Sequence, residues 1–228
     1  MKIAILGAMA EEIAPILDRF GDYSCVEYGN NRYYQASYAG HDLMVAHSKV
    51  GKVFAALTAS TLIQHFGAER LLFSGVAGGV ADGIKINDLI LATKTVQHDV
   101  DISAFGYDYG QVPDSCVEIE TDQRLNAIAK AIAQSLSIDL KQGIIATGDQ
   151  FVHSEKQRDL VSARFSASAV EMEGASVNLV CHELGIPCLI LRSISDSADG
   201  QAVDDFSLFV KTAAERSASF ILAMLEKL

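Results

Sequence analysis

Short apolar runs alternate along the chain with segments whose apolar residues recur every three or four positions, the pattern of strands interleaved with amphipathic helices. Lys2–Leu6 predicts a strand, and Ala10–Phe20 predicts a helix with Ile13, Ile16, Leu17 and Phe20 on one face. Tyr33–Tyr38 and Asp42–His47 flank Ala39-Gly40 with alternating positions, which predicts a hairpin and so a mixed sheet. A helix over Lys52–Phe66 stops at Gly67, and a short strand, Leu71–Ser74, runs into Gly75-Val76-Ala77-Gly78-Gly79. Strands follow at Asp88–Thr93, at Gly143–Thr147, up to Val170 and at Cys188–Leu191. Helices are predicted at Asp122–Leu136, through Val177, Val180, Cys181 and Leu184, and at Ser207–Leu225. No linker, charge block or repeat interrupts the series, so residues 1–228 are expected to form a single α/β domain.

Half the residues are apolar and only three are proline, which excludes a disordered chain. Eighteen Lys and Arg against 29 Asp and Glu give a net charge of −11, a field that repels nucleic acid and anionic lipid. Neither is expected as a partner. The apolar run Ile3–Ala10 stops at Glu11-Glu12, too short for a membrane span and without a signal-cleavage pattern, so a cytoplasmic protein is expected. Cys25, Cys116, Cys181 and Cys188 form no C-x-x-C pair and are expected to be buried, reduced thiols. The histidines form neither H-E-x-x-H nor H-x-H, so no metal or other cofactor is expected. Gln97-His98-Asp99-Val100-Asp101 reads as a polar loop or a subunit contact.

Ligands of open α/β sheets bind beyond the carboxyl ends of strands. Four such exits carry chemistry: Ala8–Glu12, Gly75–Gly79, Glu171-Met172-Glu173 and Ser195-Asp196. Three offer carboxylates, and none offers a thiol–imidazole pair or a glycine loop ending in lysine, so the chemistry available is acid/base. Plain structural roles compete at each. Glu11 and Glu12 suit the first turn of a helix, and Asp196 can order the turn through Ser197–Gly200. A two-residue period puts Glu171 and Glu173 on opposite sides, so at most one should face a given pocket. Gly75–Gly79 lacks both nucleotide-phosphate signatures and better fits close backbone approach to a neutral ligand.

Taken in order, Leu6-Gly7-Ala8-Met9-x-Glu11-Glu12, Ser48-Lys49-Val50-Gly51-Lys52, Ser74–Gly79, Gly148-Asp149-x-Phe151, Val170–Glu173 and Arg192–Asp196 form a series spanning the chain. That series resembles the 5′-methylthioadenosine/S-adenosylhomocysteine nucleosidases. The resemblance implies a three-layer α/β sandwich with a twisted mixed sheet, like the nucleoside phosphorylases and hydrolases. It makes Asp196 the acid that protonates the adenine leaving group, Glu12 the base that activates water, and Glu173 the ligand of the ribose hydroxyls. Phe151 would stack on adenine, the Val152 backbone would read its edge, and Met172 would pack under the ribose. Ala77, Gly78 and Ser195 would line the base pocket, while Met9 and Phe206 close the far side. It also implies a homodimer in which Phe105 is lent to the partner's site. Val76 departs from the pattern, since many members carry a serine there, and a polar contact near the base is expected to be missing. Gln97–Asp101 and Asp149–Ser154 look like the branch that also cleaves 6-amino-6-deoxyfutalosine, an intermediate of the futalosine route to menaquinone.

Cleavage of an N-glycosidic bond passes through an oxocarbenium-like state and needs an acid for the departing base and a base for water. Glu12 and Asp196 can supply that pair. A purine nucleoside phosphorylase would need cationic or backbone donors for phosphate where two glutamates stand. A nicotinamide oxidoreductase lacks its G-x-G-x-x-G fingerprint, and a non-catalytic nucleoside-binding protein would keep the apolar pocket but lose a carboxylate.

Overall fold

The computed structural model describes all residues from Met1 to Leu228. β1 (Lys2–Gly7) leads into α1 (Ala10–Phe20), followed by the meander β2 (Ser24–Tyr28), β3 (Asn31–Tyr38) and β4 (His41–His47). Then come α2 (Lys52–Gln64), β5 (Arg70–Gly79), β6 (Leu89–Gln97), a 3-10 turn at Ser103–Phe105 and β7 (Glu118–Glu120). The chain ends with α3 (Gln123–Ser135), β8 (Leu140–Thr147), α4 (Glu155–Phe165), β9 (Ala167–Glu171), α5 (Gly174–Glu183), β10 (Cys188–Asp196) and α6 (Ala202–Leu225).

Successive strand residues point to opposite faces, yet Ile3, Ala4, Ile5 and Leu6 are all fully buried, because helices cover both faces. Ile3, Ile5, Leu43, Val45, Leu72 and Leu91 pack against α1, α3 and α6. Their neighbours Ala4, Leu6, Met44, Ala46, Phe73 and Ile90 pack against α2 and α5. This is the three-layer sandwich with a mixed sheet that the resemblance implies. β1 lies parallel between β4 and β5, and β10 lies parallel to β5 on its other side. β10 then pairs antiparallel with β6, β6 parallel with β8, and β8 parallel with β9. The tip of β5 returns to β9 through Gly78–Val170 and Gly79–Ala169, so β5, β10, β6, β8 and β9 close into a ring. No helix is long and apolar enough to cross a membrane.

Several elements differ from expectation for identifiable reasons. β5 does not end at Ser74 but runs through Gly75–Gly79, all buried. None of those three glycines has a positive φ, so they are not turn residues. A Cβ on Gly75 would lie 2.5 Å from Glu12 Oε1, and one on Gly78 would lie 2.7 Å from Asp196 Oδ1. The missing side chains are spaces for carboxylates. β10 likewise continues past Leu191 to Asp196, and α6 begins before Ser207, at Ala202. β2 is exposed throughout and α4 buries only Val161 and Phe165, so neither left a clear apolar pattern. The four cysteines are free thiols, but only Cys181 and Cys188 are buried. Cys25 is exposed on the edge strand β2 and Cys116 in the loop before β7, where no helix layer covers them.

Candidate active site

A cavity of about 280 Å³ opens at the carboxyl ends of β1, β5, β9 and β10. The first turn of α1 gives it Met9 and Glu12, and β5 gives it Val76, Ala77 and Gly78. The loop after β8 contributes Phe151 and Val152, the exit of β9 Met172 and Glu173, the end of β10 Ser195 and Asp196, and α6 Phe206. Phe105 stands apart from this wall and is 81% exposed.

Glu12 is the third residue of α1, and its Oε2 accepts from the amides of Ala8 at 2.5 Å and Met9 at 3.0 Å. That reach back to the residue before the helix is a capping arrangement. Its Oε1 takes a third amide, from Val76 at 2.9 Å. Burial pushes the carboxyl above its ordinary range, while Arg192 and the three amides pull it back. A buried carboxyl with a raised affinity for protons is fit to accept one.

Asp196 follows a bulge in β10: Ile194 pairs with Ala77 and Asp196 with Gly78, leaving Ser195 as the extra residue. The bulge re-aims the strand end. Asp196 Oδ2 accepts from the Ser195 hydroxyl at 2.8 Å, and Oδ1 accepts from the Ala198 amide at 2.9 Å. The turn-ordering role is therefore real, and it coexists with exposure to the cavity. Burial raises the Asp196 pKa, against the lowering effect of those two hydrogen bonds. The Ser195 hydroxyl has a second acceptor in the Ala77 carbonyl at 3.4 Å, so it can serve Asp196 in either protonation state.

Glu171 and Glu173 both border the cavity, contrary to the alternation argument. The strand stops at Glu171, and Glu173 sits at φ −139°, ψ −38° as the N-cap of α5, where a two-residue period no longer applies. Their chemistry differs. Glu171 is held by the Thr147 hydroxyl, by Arg192 Nη2 at 2.7 Å and by the amides of Glu173 at 3.2 Å and Gly174 at 2.7 Å. Glu173 takes one protein donor, the Gly51 amide, on Oε1 at 2.8 Å. Burial and then the Glu171 carboxylate push the Glu173 pKa up to about 8.

Arg192 is the group that reasoning on strand exits passed over. Its side chain is fully buried, stacks 4.0 Å from the Phe73 ring centroid and bears a charge that acts on both Glu12 and Glu173. The available signal was an arginine inside the apolar run Cys188–Ile194, since a charge is buried there only with a partner.

On the opposite wall Phe151 is 40% exposed and meets Phe206 edge-on at 6.0 Å. Val152 is buried, and neither its backbone N–H nor its carbonyl is engaged by the protein. The Val76 side chain packs with Ala213 and Ala214 of α6, where Met9 and Phe206 also gather. No three His, Cys, Asp or Glu side chains converge to hold a metal ion.

Residues 2–226 match the phosphorylase superfamily. The chain belongs to that superfamily. Among its relatives in the superfamily, an aminodeoxyfutalosine nucleosidase of Campylobacter jejuni is 51% identical over 228 residues, covering 100% of both chains. A 5′-methylthioadenosine/S-adenosylhomocysteine nucleosidase of Actinobacillus succinogenes is 37% identical over 229 aligned positions, again with 100% of both covered. The solved Helicobacter pylori 5′-methylthioadenosine/S-adenosyl homocysteine nucleosidase has a TM-score of 0.99 at 50% identity, covering 100% of this chain and 99% of that one. That crystal contains a 4-aminopyrrolopyrimidine joined through a methylene to a pyrrolidinol with a thioether arm. The resemblance to the nucleosidases holds over the full length.

Proposed function

We propose that the protein, acting as one 228-residue nucleosidase domain, hydrolyses the N-glycosidic bond of adenine nucleosides substituted at the 5′ position. The substrates are 5′-methylthioadenosine, S-adenosylhomocysteine and 6-amino-6-deoxyfutalosine, and the products are adenine and the 5-substituted ribose. The observation that carries this reading is one cavity with two buried carboxyls, Glu12 and Asp196, both raised in proton affinity by burial and arriving from different strand exits, and a third, Glu173, beside them. Asp196 protonates adenine as the bond to the sugar breaks, and the Ser195 hydroxyl, which can turn to the Ala77 carbonyl while Asp196 is protonated, donates to the carboxylate left behind. Glu12 takes the proton of the attacking water, and its three amides hold it in place. Glu173 binds the ribose hydroxyls. The carboxylates around the sugar stabilise its developing positive charge, an effect of a few kcal/mol per well-placed group. Phe151 stacks on the base, the free Val152 backbone reads its edge and Met172 packs beneath the ribose. Ala77, Gly78 and Ser195 line the base pocket; Met9 and Phe206 enclose the 5′ substituent.

The aminodeoxyfutalosine substrate is included because a relative 51% identical carries that name, while structures of similar identity carry the methylthioadenosine name. A homodimer is part of the proposal: Val53 at 77%, Leu57 at 59% and Phe105 at 81% exposure leave apolar surface that a second copy would cover, with Phe105 reaching its site. The superfamily also admits phosphorolysis, but no Lys, Arg or His side chain lines the cavity to receive phosphate. Incubating the protein with each nucleoside, with and without phosphate, and following free adenine tests the reading. Release from all three without phosphate is expected. Release that requires phosphate would overturn it.

A further inference from the structure

The ribose-binding carboxylate is itself held by a device on the far side of the cavity wall. Gly51 precedes α2 and adopts φ +102°, a conformation open to glycine and strained for other residues. A Cβ there would come within 3.1 Å of Asp149 Oδ1. In this conformation its amide points at Glu173 Oε1, 2.8 Å away, and it is the sole protein donor to that carboxylate. The next amide, that of Lys52, donates to Asp149 Oδ1 at 2.8 Å. The Lys52 ammonium lies 2.6 Å from Asp99 Oδ1 and 3.3 Å from Gln97 Oε1, and Asp99 Oδ2 accepts from the Asp149 amide at 2.9 Å. The result is a closed circuit: side chain of Lys52 to Asp99, Asp99 to the backbone of Asp149, side chain of Asp149 to the backbone of Lys52.

We propose that Lys52, Asp99 and Asp149 are positioning residues whose circuit sets the Gly51 amide on Glu173 and thereby governs recognition of the ribose hydroxyls. The inference rests on the reading that Glu173 binds those hydroxyls. The ion pair is well sheltered, with side-chain exposures of 16% for Lys52 and 13% for Asp99, so solvent screens it less than a surface pair. Burial opposes ionisation of Asp99, yet the Lys52 ammonium and the Asp149 amide outweigh it and hold the carboxyl below its usual range. The circuit joins the start of α2 to the loops after β6 and β8. It also gives the Gln97–Asp101 segment an intrachain role beyond that of a polar loop.

The test compares kcat/KM for 5′-methylthioadenosine and its 2′-deoxy counterpart in the full-length wild type and in Lys52→Gln, Asp99→Asn, Lys52→Arg and Glu173→Gln. Lys52→Gln and Asp99→Asn should each lower the preference for the ribo substrate about tenfold, the scale of weakening one hydrogen bond to a charged group. Cleavage of the 2′-deoxy substrate should fall less, within about threefold of wild type, because it lacks one of the hydroxyls that Glu173 binds. Lys52→Arg, which keeps the cation, should restore most of the preference. Parallel losses on both substrates, or an unchanged preference, would overturn the proposal. If Lys52→Gln is recovered unfolded, Asp149→Ala removes the acceptor of the Lys52 amide and is read the same way. Glu173→Gln separates the two levels of inference. If it keeps the full ribose preference, the role of Glu173 is wrong; if it loses the preference while the circuit variants keep it, only the circuit is wrong.

Discussion

Gly75→Ala is the substitution that most sharply separates space for a carboxylate from space for packing. The new methyl group would sit 2.5 Å from Glu12 Oε1, 3.0 Å from its Cδ and 3.2 Å from Arg192 Nη1. Ordinary contact begins near 3.4 Å, so the carboxylate must retreat by about 0.9 Å. Glu12 cannot rotate freely away, because the amides of Ala8, Met9 and Val76 hold both oxygens. A misplacement of about 1 Å in a catalytic group costs on the order of 10²-fold in rate, and overpacking a core costs about 1–3 kcal/mol. For a chain of this length, that stability loss lowers Tm by about 2–12 °C. Gly79→Ala on the same strand is the control: its methyl would meet Ile84 Cγ2 at 2.8 Å, an aliphatic group remote from the acid/base pair. Steady-state kinetics with a thermal melt should show both variants modestly destabilised and only Gly75→Ala about 10²-fold slower in kcat. A folded Gly75→Ala protein retaining more than about a third of wild-type kcat, or a Gly79→Ala protein equally slow, would refute the reasoning.

Glu12→Gln should lower kcat by about 10²–10⁴-fold while a substrate analogue binds within a few-fold of wild type by titration calorimetry, since the amide keeps the shape but cannot accept the proton of water. Asp196→Asn should fold well, because its oxygen can accept from Ala198 and its amide can donate to Ser195. The folded-state pKa of Asp196 lies above its unfolded value, so wild-type stability falls as pH rises past the unfolded pKa of about 3.9; the variant's Tm advantage should be absent at acid pH and present at neutral pH. The wild-type rate should fall on the alkaline side as Asp196 loses its proton, read from a pH–kcat profile. Arg192→Met would strand Glu171, whose side chain is 3% exposed, and should cost about 3–5 kcal/mol, seen as a Tm loss of at least about 6 °C.

What was legible in the sequence follows from which forces leave a periodic trace. β1, α1 and the β3–β4 hairpin were readable because burial against a helix layer imposes apolar spacing. The strand character of Gly75–Gly79 was not, because Gly75 and Gly78 leave room for the oxygen atoms of Glu12 and Asp196, which lie far away in the chain. Glu171 and Glu173 do not follow the alternation because the strand ends at Glu171, two residues before Glu173. Arg192 was invisible as a functional group until Glu171 and Phe73 were placed around it. Cys25 looked like a core thiol by type, but the exposure of an edge strand is a property of topology rather than of local sequence.

The division of labour between the two carboxyls is tested most directly by a change of leaving group. The 4-nitrophenyl 5-methylthioriboside departs without protonation, so it needs the base but not the acid. With this compound, the kcat of Asp196→Asn should recover to within about tenfold of wild type, whereas Glu12→Gln should remain slow, as general base catalysis is worth ~10²–10⁴-fold. If Asp196→Asn is as slow on the nitrophenyl compound as on 5′-methylthioadenosine, Asp196 is not donating the proton, and the acid role is contradicted.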